Sequence, residues 1–140
     1  MSFLLLIDDD DDHRELFALA AQTLQLDEEV VTLKSGPLAL EYLQARGERP
    51  LMILVDVKMP GMDGPTTVQR LRELDSLELV PVVMISTSDA LADLKAARRA
   101  GANSYVLKPL GARSWLDTLS QLVSYWSSCD AHWRAHSSGL

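Results

Sequence analysis

The stretch LMILVDVKMPGMDG, residues 51–64, joins a five-residue apolar run to a loop of unusual composition. Residues 51–55 are all apolar, and so short a run that stops at an aspartate predicts a strand buried on both faces of a parallel sheet. Residues 59–65 include two prolines and two glycines, which exclude regular structure and predict a loop. Asp56 is therefore expected where a central strand leaves the sheet.

The same pattern, a short apolar run followed by helical periodicity, repeats on both sides of this stretch. Helices are predicted after each strand; the fourth ends at Gly101 and the last runs from about Arg113 to Trp126. Five strands alternating with five helices predict an α/β fold, a single doubly wound (βα)5 domain with helices on both faces of a parallel sheet. The predicted strands are residues 3–7, 29–33, 51–55, 82–85 and 104–107.

The first helix follows a run of five aspartates, residues 8–12. The first two of them directly follow the strand and are assigned to a site. Asp12 and Glu15 match a capping box, so Asp11 and Asp12 are expected to cap the helix, with Asp12 as the N-cap, while Asp10 is expected in a solvated loop. His13 lies in the first turn, and we interpret a lone histidine there as a helix residue rather than a metal ligand.

The composition limits the classes of protein to which the chain can belong. With 20 acidic and 13 basic residues the formal net charge is −7, so we expect no binding to nucleic acid. The longest apolar runs are far shorter than the roughly 20 residues that span a bilayer, and no secretory signal pattern is visible. The single cysteine, Cys129, makes no internal disulfide. We expect a cytoplasmic protein with one domain over residues 1–126 and a polar, flexible tail over residues 127–140.

Polar residues stand at the ends of four predicted strands, namely Asp8-Asp9, Asp56, Ser86 and Lys108. In an open parallel sheet, sites form beyond the carboxyl ends of the strands, so these side chains are expected to share one pocket. Carboxylates within about 4 Å repel by roughly 1–4 kcal/mol per pair, which predicts a bound cation. Oxygen ligands without histidine or thiolate favour Mg²⁺. A carboxylate beside Mg²⁺ and a lysine is a competent nucleophile toward phosphorus.

Four stretches carry a resemblance to a known family: LLLIDDDD, LMILVDVKMPGMDG, PVVMISTS and AGANSYVLKP. In their order and separation, residues 3–124 resemble the receiver domain of bacterial response regulators. The resemblance implies a flavodoxin-like fold with sheet order 2-1-3-4-5. It also implies a single-domain response regulator without an output domain. Such a protein accepts a phosphoryl group from a histidine kinase and acts as a phosphorylation-controlled interaction switch or phosphorelay component.

The resemblance implies a role for each acidic residue of the pocket. Asp56 would be the phosphoacceptor. Asp9 and Asp56 would bind Mg²⁺ through their side chains, Lys58 through its backbone carbonyl, and Asp8 through a water molecule. How the Lys58 side chain affects the lifetime of the phosphate is left open.

The resemblance also implies the groups that bind and report the phosphoryl group. Ser86 would donate a hydrogen bond to it, and Lys108 would pair with it. Tyr105 would be a switch residue that turns inward when the Ser86 hydroxyl moves, although a role as a half-buried packing aromatic stays open. Asp63 is expected to stabilise the loop after the third strand rather than to take part in chemistry.

The last helix carries one apolar stripe, formed by Trp115, Leu119, Leu122 and Trp126. The ending SQLVSYW, together with STSDA after the fourth strand, resembles the stand-alone receivers that partner bacterial phytochrome histidine kinases. Those proteins form dimers through the last strand and helix, which predicts a homodimer through this stripe and Tyr105. The alternative is that the stripe covers the sheet and Trp126 closes the edge of the core.

Two other functions fit an α/β fold with an acidic site. A Mg²⁺-dependent hydrolase of the haloacid-dehalogenase type keeps a second carboxylate two residues after its nucleophile, where this chain has Lys58. A flavodoxin-like FMN carrier needs a Ser/Thr/Gly-rich phosphate loop after the first strand, where residues 8–12 would repel a phosphate. We therefore expect no turnover of an external substrate, only self-phosphorylation and self-dephosphorylation.

Overall fold

The computed structural model describes the backbone of residues 3–137 and the side chains of residues 3–129. Five strands and five α-helices alternate along this part of the chain. A short 3₁₀ turn between the third helix and the fourth strand was not predicted. The elements are β1 (Phe3–Ile7), α1 (Asp11–Thr23), β2 (Glu29–Leu33), α2 (Gly36–Arg46), β3 (Met52–Asp56), α3 (Gly64–Arg72), the 3₁₀ turn (Asp75–Leu77), β4 (Val82–Ser86), α4 (Leu91–Ala100), β5 (Ser104–Leu107) and α5 (Ala112–Ser137).

All five strands are parallel and form one sheet in the order β2-β1-β3-β4-β5, which confirms the predicted order. The chain first builds toward one edge of the sheet and then, from β3 onward, toward the other. The register places Ile7 beside Val55, and Asp56 beside Ile85. The carboxyl ends of β1, β3 and β4 are therefore level, and the residues that follow them emerge at the same edge.

The central strands are apolar throughout because helices cover both faces of the sheet. In β1, alternate residues pack into opposite layers: Phe3, Leu5 and Ile7 join one cluster, and Leu4 and Leu6 join the other. All five have no exposed surface. Complete burial of one large apolar side chain contributes about 1.5–3 kcal/mol, so these runs supply much of the stabilisation of the fold.

The first helix begins at Asp11, and its cap is Asp10 rather than the predicted Asp12. The Asp10 side chain accepts hydrogen bonds from the backbone N–H groups of Asp12 (2.9 Å) and His13 (3.2 Å), so Asp10 is not a free loop residue either. In a run of five aspartates every position offers a capping carboxylate. The pattern alone therefore does not select the residue that has extended backbone geometry.

The last helix is longer than predicted, since α5 continues past Trp126 to Ser137. The backbone of residues 127–137, within the polar, flexible tail predicted for residues 127–140, is helical, and residues 138–140 lie outside the described residues. This segment contains neither proline nor glycine, so no residue in it stops a helix. None of the helices in the described part of the chain has an apolar segment long enough to cross a membrane.

The apolar stripe of α5 faces the core of the protein. Trp115 and Leu119 are each 1% exposed and belong to the cluster that α1 also covers. The prediction that these two residues lie in a subunit interface is wrong, because an apolar stripe at i, i+4 spacing marks the face that covers the sheet. Leu122 and Trp126 are partly buried against the same cluster.

Arg72, at the end of α3, makes hydrogen bonds to three segments at the amino edge of the sheet. Its guanidinium donates to the carbonyl oxygen of Gly101 (3.0 Å), the left-handed cap (φ 108°) predicted for α4. It also donates to the Asn103 side chain (2.8 Å), whose oxygen accepts from the first residue of β4 as well. The remaining acceptors are three carbonyl oxygens of the segment before β4, those of Leu77, Glu78 and Val80.

Replacing Arg72 by methionine, which keeps an apolar stem, is expected to lower the free energy of unfolding by about 2–4 kcal/mol, because it leaves several partly buried oxygens without donors. Arg70→Met, at an exposed position of the same helix, is the control and is expected to change it by less than about 0.5 kcal/mol. Urea denaturation followed by circular dichroism measures both values. Equal losses in the two variants would contradict this role of Arg72.

Candidate functional site

A cavity of about 590 Å³ opens at the carboxyl edge of the sheet, where ligands bind in open parallel folds. Every residue that lines it is polar or charged, so the cavity suits a charged ligand rather than an apolar one. The lining residues come from the ends of β1, β3, β4 and β5 and from the start of α1: Asp9, Asp10, Asp11, Asp12, Asp56, Lys58, Ser86, Thr87 and Lys108.

Three carboxylates meet at this cavity. Oxygens of Asp8, Asp9 and Asp56 lie within 4.8 Å of one another. Asp8 has no exposed surface and Asp56 is 6% exposed, whereas Asp9 is exposed. Asp8 is held from two directions, since the backbone N–H of Asp10 donates to its Oδ1 (3.0 Å) and Arg14 donates to its backbone carbonyl (2.7 Å). The fold therefore fixes two buried carboxylates close to each other.

A single ammonium group lies between the two buried carboxylates. Lys108 Nζ is 2.9 Å from Asp8 Oδ2 and 3.3 Å from Asp56 Oδ2, and the lysine side chain is 6% exposed. Its position is set by the sheet, because its backbone N–H donates to the carbonyl of Ser86 over 2.7 Å. One positive charge is thus shared by two negative ones, and Asp9 adds a third.

Burial raises the pKa of Asp56 to about 6, and the neighbouring charge of Asp8 acts in the same direction. Lys108 opposes this shift without cancelling it. The surroundings therefore disfavour the ionised form of Asp56 as long as no further positive charge is present. The pKa of Asp10, at the exposed rim of the cavity, is shifted the other way. The hydrogen bond from the backbone N–H of His13 holds it below its usual value.

Ser86 and Tyr105 are connected through Ser88. Ser86 is 2% exposed, and its Oγ accepts a hydrogen bond from the backbone N–H of Ser88 (3.0 Å). The hydroxyl of Tyr105 donates to the carbonyl of Ser88 (2.7 Å). A displacement of the Ser86 hydroxyl therefore changes the bonding of the same loop residue that holds the tyrosine.

The loop after β3 packs directly against Asp56. A Cβ atom on Gly64 would lie 2.4 Å from the backbone oxygen of Asp56 and 2.7 Å from the Cα of Val57, so only glycine fits there. The backbone N–H of Gly64 donates to the carbonyl of Val57 (2.8 Å). Asp63 caps α3 by accepting from the N–H of Thr66 (2.9 Å), which confirms that it stabilises this loop.

The strand order and the groups at its carboxyl edge agree with the family that the sequence resembles. Residues 4–120 match the family model described as response regulator receiver domain. The chain belongs to this family. The matched region extends from β1 into the middle of α5 and includes every residue that lines the cavity.

Several regulatory proteins are similar to this receiver domain over most of their length. Probable methanogenesis regulatory protein FilR2 of Methanothrix harundinacea is 32% identical over 88% of this chain and 82% of its own. Response regulator Rcp1 of Synechocystis sp. is 27% identical over 88% and 87% of the two chains. The crystal structure of the Mn²⁺-bound form of response regulator Rcp1 has a TM-score of 0.78 at 25% identity. The match covers 90% of this chain and 94% of the Rcp1 chain. The crystal structure of the phosphorylated cyanobacterial phytochrome response regulator RcpA has a TM-score of 0.82 at 26% identity. The match covers 91% of this chain and 95% of the RcpA chain.

The donor atoms of the receiver domain fit a hard divalent cation. The clustered atoms of Asp8, Asp9 and Asp56 are all carboxylate oxygens, which is the type of ligand that Mg²⁺ prefers. Apart from its ion pair with Lys108, the buried Asp8 Oδ2 has no hydrogen-bond partner in the described part of the chain. This oxygen can therefore still accept from a metal-bound water. Lys58 lines the same cavity.

The structure brings together the residues that were predicted from the strand ends. Tyr105 lies outside the cavity and reaches it only through Ser88. The residues that share the site are Asp8, Asp9, Asp56, Lys58, Ser86 and Lys108.

Some residues of the receiver pocket were not predicted to be there. Thr87 lines the cavity, and so do Asp11 and Asp12, which had been interpreted only as helix caps. His13 Nδ1 lies 3.5 Å from carboxylate oxygens of both Asp8 and Asp10. The position of Asp11, Asp12 and His13 in the first turn of a helix could have predicted this. Side chains there point back toward the amino end of the helix, which here lies at the carboxyl edge of the sheet.

The pKa of Asp56 predicts how the stability of the metal-free receiver domain depends on pH. This group binds its proton more tightly in the folded state, with a pKa of about 6, than in the unfolded chain, with about 3.9. The resulting stabilisation is present at low pH and is lost as the pH rises from roughly 4 through 6. Asp56→Asn lacks this ionisation, so its stability relative to wild type is expected to increase by up to about 2 kcal/mol between those limits.

Urea denaturation of both proteins in EDTA, across this pH range, measures the difference in free energy of unfolding. Groups that do not interact with Asp56 titrate equally in the two proteins and cancel in that difference. A difference that does not change with pH would contradict the buried, carboxylate-facing environment of Asp56.

Proposed function

We propose that residues 1–126 form a receiver unit that accepts a phosphoryl group on Asp56 from a histidine kinase and reports it through its surface. The observation that carries this proposal is the position of Asp56, 3.3 Å from Lys108 Nζ and within 4.8 Å of the Asp8 and Asp9 carboxylates. A nucleophilic carboxylate, a group of cation-binding oxygens and an ammonium surround one point. These are the components that phosphoryl transfer to a carboxylate needs.

In the proposed reaction, a carboxylate oxygen of Asp56 attacks the phosphorus of a phosphohistidine. The O–P bond forms as the P–N bond breaks, and the imidazole leaves with the bonding electron pair. Lys108 turns from Asp8 and Asp56 to one phosphoryl oxygen, and the Ser86 hydroxyl donates a hydrogen bond to another. Mg²⁺, when bound, neutralises the charge of the phosphoryl oxygens and of the carboxylates around it.

The residue two positions after the acceptor supports a switch rather than a hydrolase. Lys58 is exposed and cationic, so it does not supply the carboxyl group that acts as general acid and base in the haloacid-dehalogenase type of enzyme. The proposed chemistry is therefore limited to phosphorylation of Asp56 and hydrolysis of its own acyl phosphate.

The proposed switch uses the hydrogen bonds around Ser88. When the Ser86 hydroxyl turns toward the phosphoryl group, its oxygen no longer accepts from the Ser88 N–H, which is a 3.0 Å bond in this structure. The loop after β4 is then free to shift, and Tyr105 follows through its 2.7 Å bond to the Ser88 carbonyl. Phosphorylation thus changes the surface formed by this loop, β5 and the helices beside it.

The identity of the donor and of the metal is proposed from the similar proteins. RcpA is a phytochrome response regulator, and Rcp1 binds Mn²⁺ in its crystal structure. We extend these two properties to the present chain, with a phytochrome-type histidine kinase as the donor and Mg²⁺ as the cation.

Incubation with Mg²⁺ and acetyl phosphate is expected to give a covalent adduct that hydroxylamine removes, since hydroxylamine cleaves acyl phosphates. Asp56→Asn is expected to give none. Asp63→Asn, in which asparagine still caps α3, is the matched control and is expected to label like wild type. Intact-protein mass spectrometry measures all three. A wild-type protein that fails to label would favour an adaptor that works without phosphate.

We also propose that two copies of the chain associate through β5 and α5. β5 is an edge strand, and Leu107 on it is 55% exposed. On α5, Tyr125 is 61% exposed, and its ring packs edge to face on Trp126 with a centroid distance of 4.8 Å. Tyr105 and Leu122 are only partly buried on the same two elements. Exposed apolar and aromatic side chains of this kind are typical of interfaces.

Tyr125→Arg is expected to shift the protein from dimer toward monomer, because the interface would have to bury an unpaired charge. Leu19→Arg, at a site on α1 that is 49% exposed, is expected to leave the dimer unchanged. Multi-angle light scattering, with and without beryllofluoride as a phosphoryl analogue, measures the mass. A wild-type monomer under both conditions would refute the dimer.

A further inference from the structure

His13, in the first turn of α1, lies beside the acidic cluster. Its Nδ1 is buried and is 3.5 Å from Asp8 Oδ2 and 3.5 Å from Asp10 Oδ2, and no group in the described part of the chain makes a hydrogen bond to it. On its other side the imidazole packs on Trp115 of α5, with a centroid distance of 6.3 Å and an angle of 41°. His13 therefore connects the wall of the pocket with the contact between α1 and α5.

Only one arrangement of hydrogen on this nitrogen fits its surroundings. A lone pair on Nδ1 would face two carboxylate oxygens and be repelled by both, whereas an N–H would be attracted to both. Nδ1 therefore carries a hydrogen, whatever the state of Nε2. A movement of about 0.5 Å toward Asp8 would bring the nitrogen to ordinary hydrogen-bond length.

The Asp8 oxygen that His13 faces is the one paired with Lys108, whose Nζ is 2.9 Å away. In the proposed transfer Lys108 turns to the phosphoryl group, and Asp8 Oδ2 loses that partner. Asp8 is completely buried, and a buried oxygen left without a partner costs about 1–3 kcal/mol or more. His13 Nδ1, at 3.5 Å, is then beside this oxygen as a side-chain donor.

We propose that His13 is a positioning residue, which holds the Asp8 carboxylate through Nδ1–H in the orientation that serves the divalent cation, while Trp115 keeps the imidazole in place. This inference rests on the proposed function, because it concerns the same pocket. Groups that orient metal ligands typically contribute 10–100-fold to metal affinity. His13 contacts Asp8 rather than Asp56, so its effect falls on cation affinity and not on the transfer step.

The test compares His13→Asn, which keeps an N–H close to the position of Nδ1, with His13→Leu, which has no donor. Gln22→Leu, exposed on the last turn of the same helix, is the control.

Mg²⁺ is titrated into each protein in a background in which Trp126 and Trp133 are phenylalanine, so that the fluorescence comes from Trp115. The Kd for Mg²⁺ is expected to rise at least tenfold in His13→Leu and to stay within about threefold of the background protein in His13→Asn. Gln22→Leu is expected to match the background.

A second readout needs no metal. In a long-range ¹⁵N–¹H correlation spectrum of the wild type, recorded about two pH units above the usual histidine pKa, the His13 hydrogen is expected on Nδ1. A hydrogen on Nε2 alone would overturn the proposal. Urea denaturation without Mg²⁺ shows that each variant is folded before its affinity is interpreted.

The remaining outcomes separate this inference from the proposed function. An unchanged Mg²⁺ affinity in His13→Leu, or an affinity in His13→Asn as weak as in His13→Leu, would overturn the positioning role. Labelling of Asp56 in His13→Leu is expected to recover at saturating Mg²⁺, and persistent loss would also count against it. A wild-type protein that binds Mg²⁺ with the expected His13 dependence but does not label would reject the proposed function alone.

Discussion

The sharing of one ammonium between two buried carboxylates is the interaction on which the site depends. Lys108 Nζ lies within 3.3 Å of a carboxylate oxygen of both Asp8 and Asp56, and both of these residues are buried. The pocket therefore holds more negative charge than its own positive charge balances, and this imbalance adds to burial, which is the main cause of the raised pKa of Asp56. A cation would lower this imbalance, and in the proposed transfer the phosphoryl group would compete for the same lysine. The proposed cation binding, transfer and switching would all depend on this one balance of charges.

The sheet and most of the site could be predicted from the sequence because both follow from short local patterns. Five-residue apolar runs such as residues 3–7 and 51–55 occur when helices cover both faces of a parallel strand. The residue after such a run must emerge at the carboxyl edge, so Asp56, Ser86 and Lys108 were placed correctly without knowledge of the helix packing. The order of the strands came from the resemblance, since local patterns do not encode it.

The errors concern features that depend on geometry beyond the local pattern. Asp10 caps α1 instead of Asp12 because the backbone path out of β1 decides which of five equivalent carboxylates is extended. Trp115 and Leu119 were assigned to an interface although the stripe they form is the one that packs on the sheet. The contact of His13 with Asp8 was not predicted, because it depends on the path of the backbone from β1 into α1. Each error arises where one pattern is compatible with two three-dimensional settings.

The hydrogen bond from Arg72 to Gly101 has a consequence for how α4 can respond. It anchors the carboxyl end of α4 to α3 and to the segment before β4. At the other end, the helix begins without a side-chain cap, directly after the loop that contains Ser88. In the proposed switch, a displacement near Ser86 would therefore move the first turn of α4 more than its last turn. An arginine on the far side of the domain from Asp56 would thus decide which end of this helix responds.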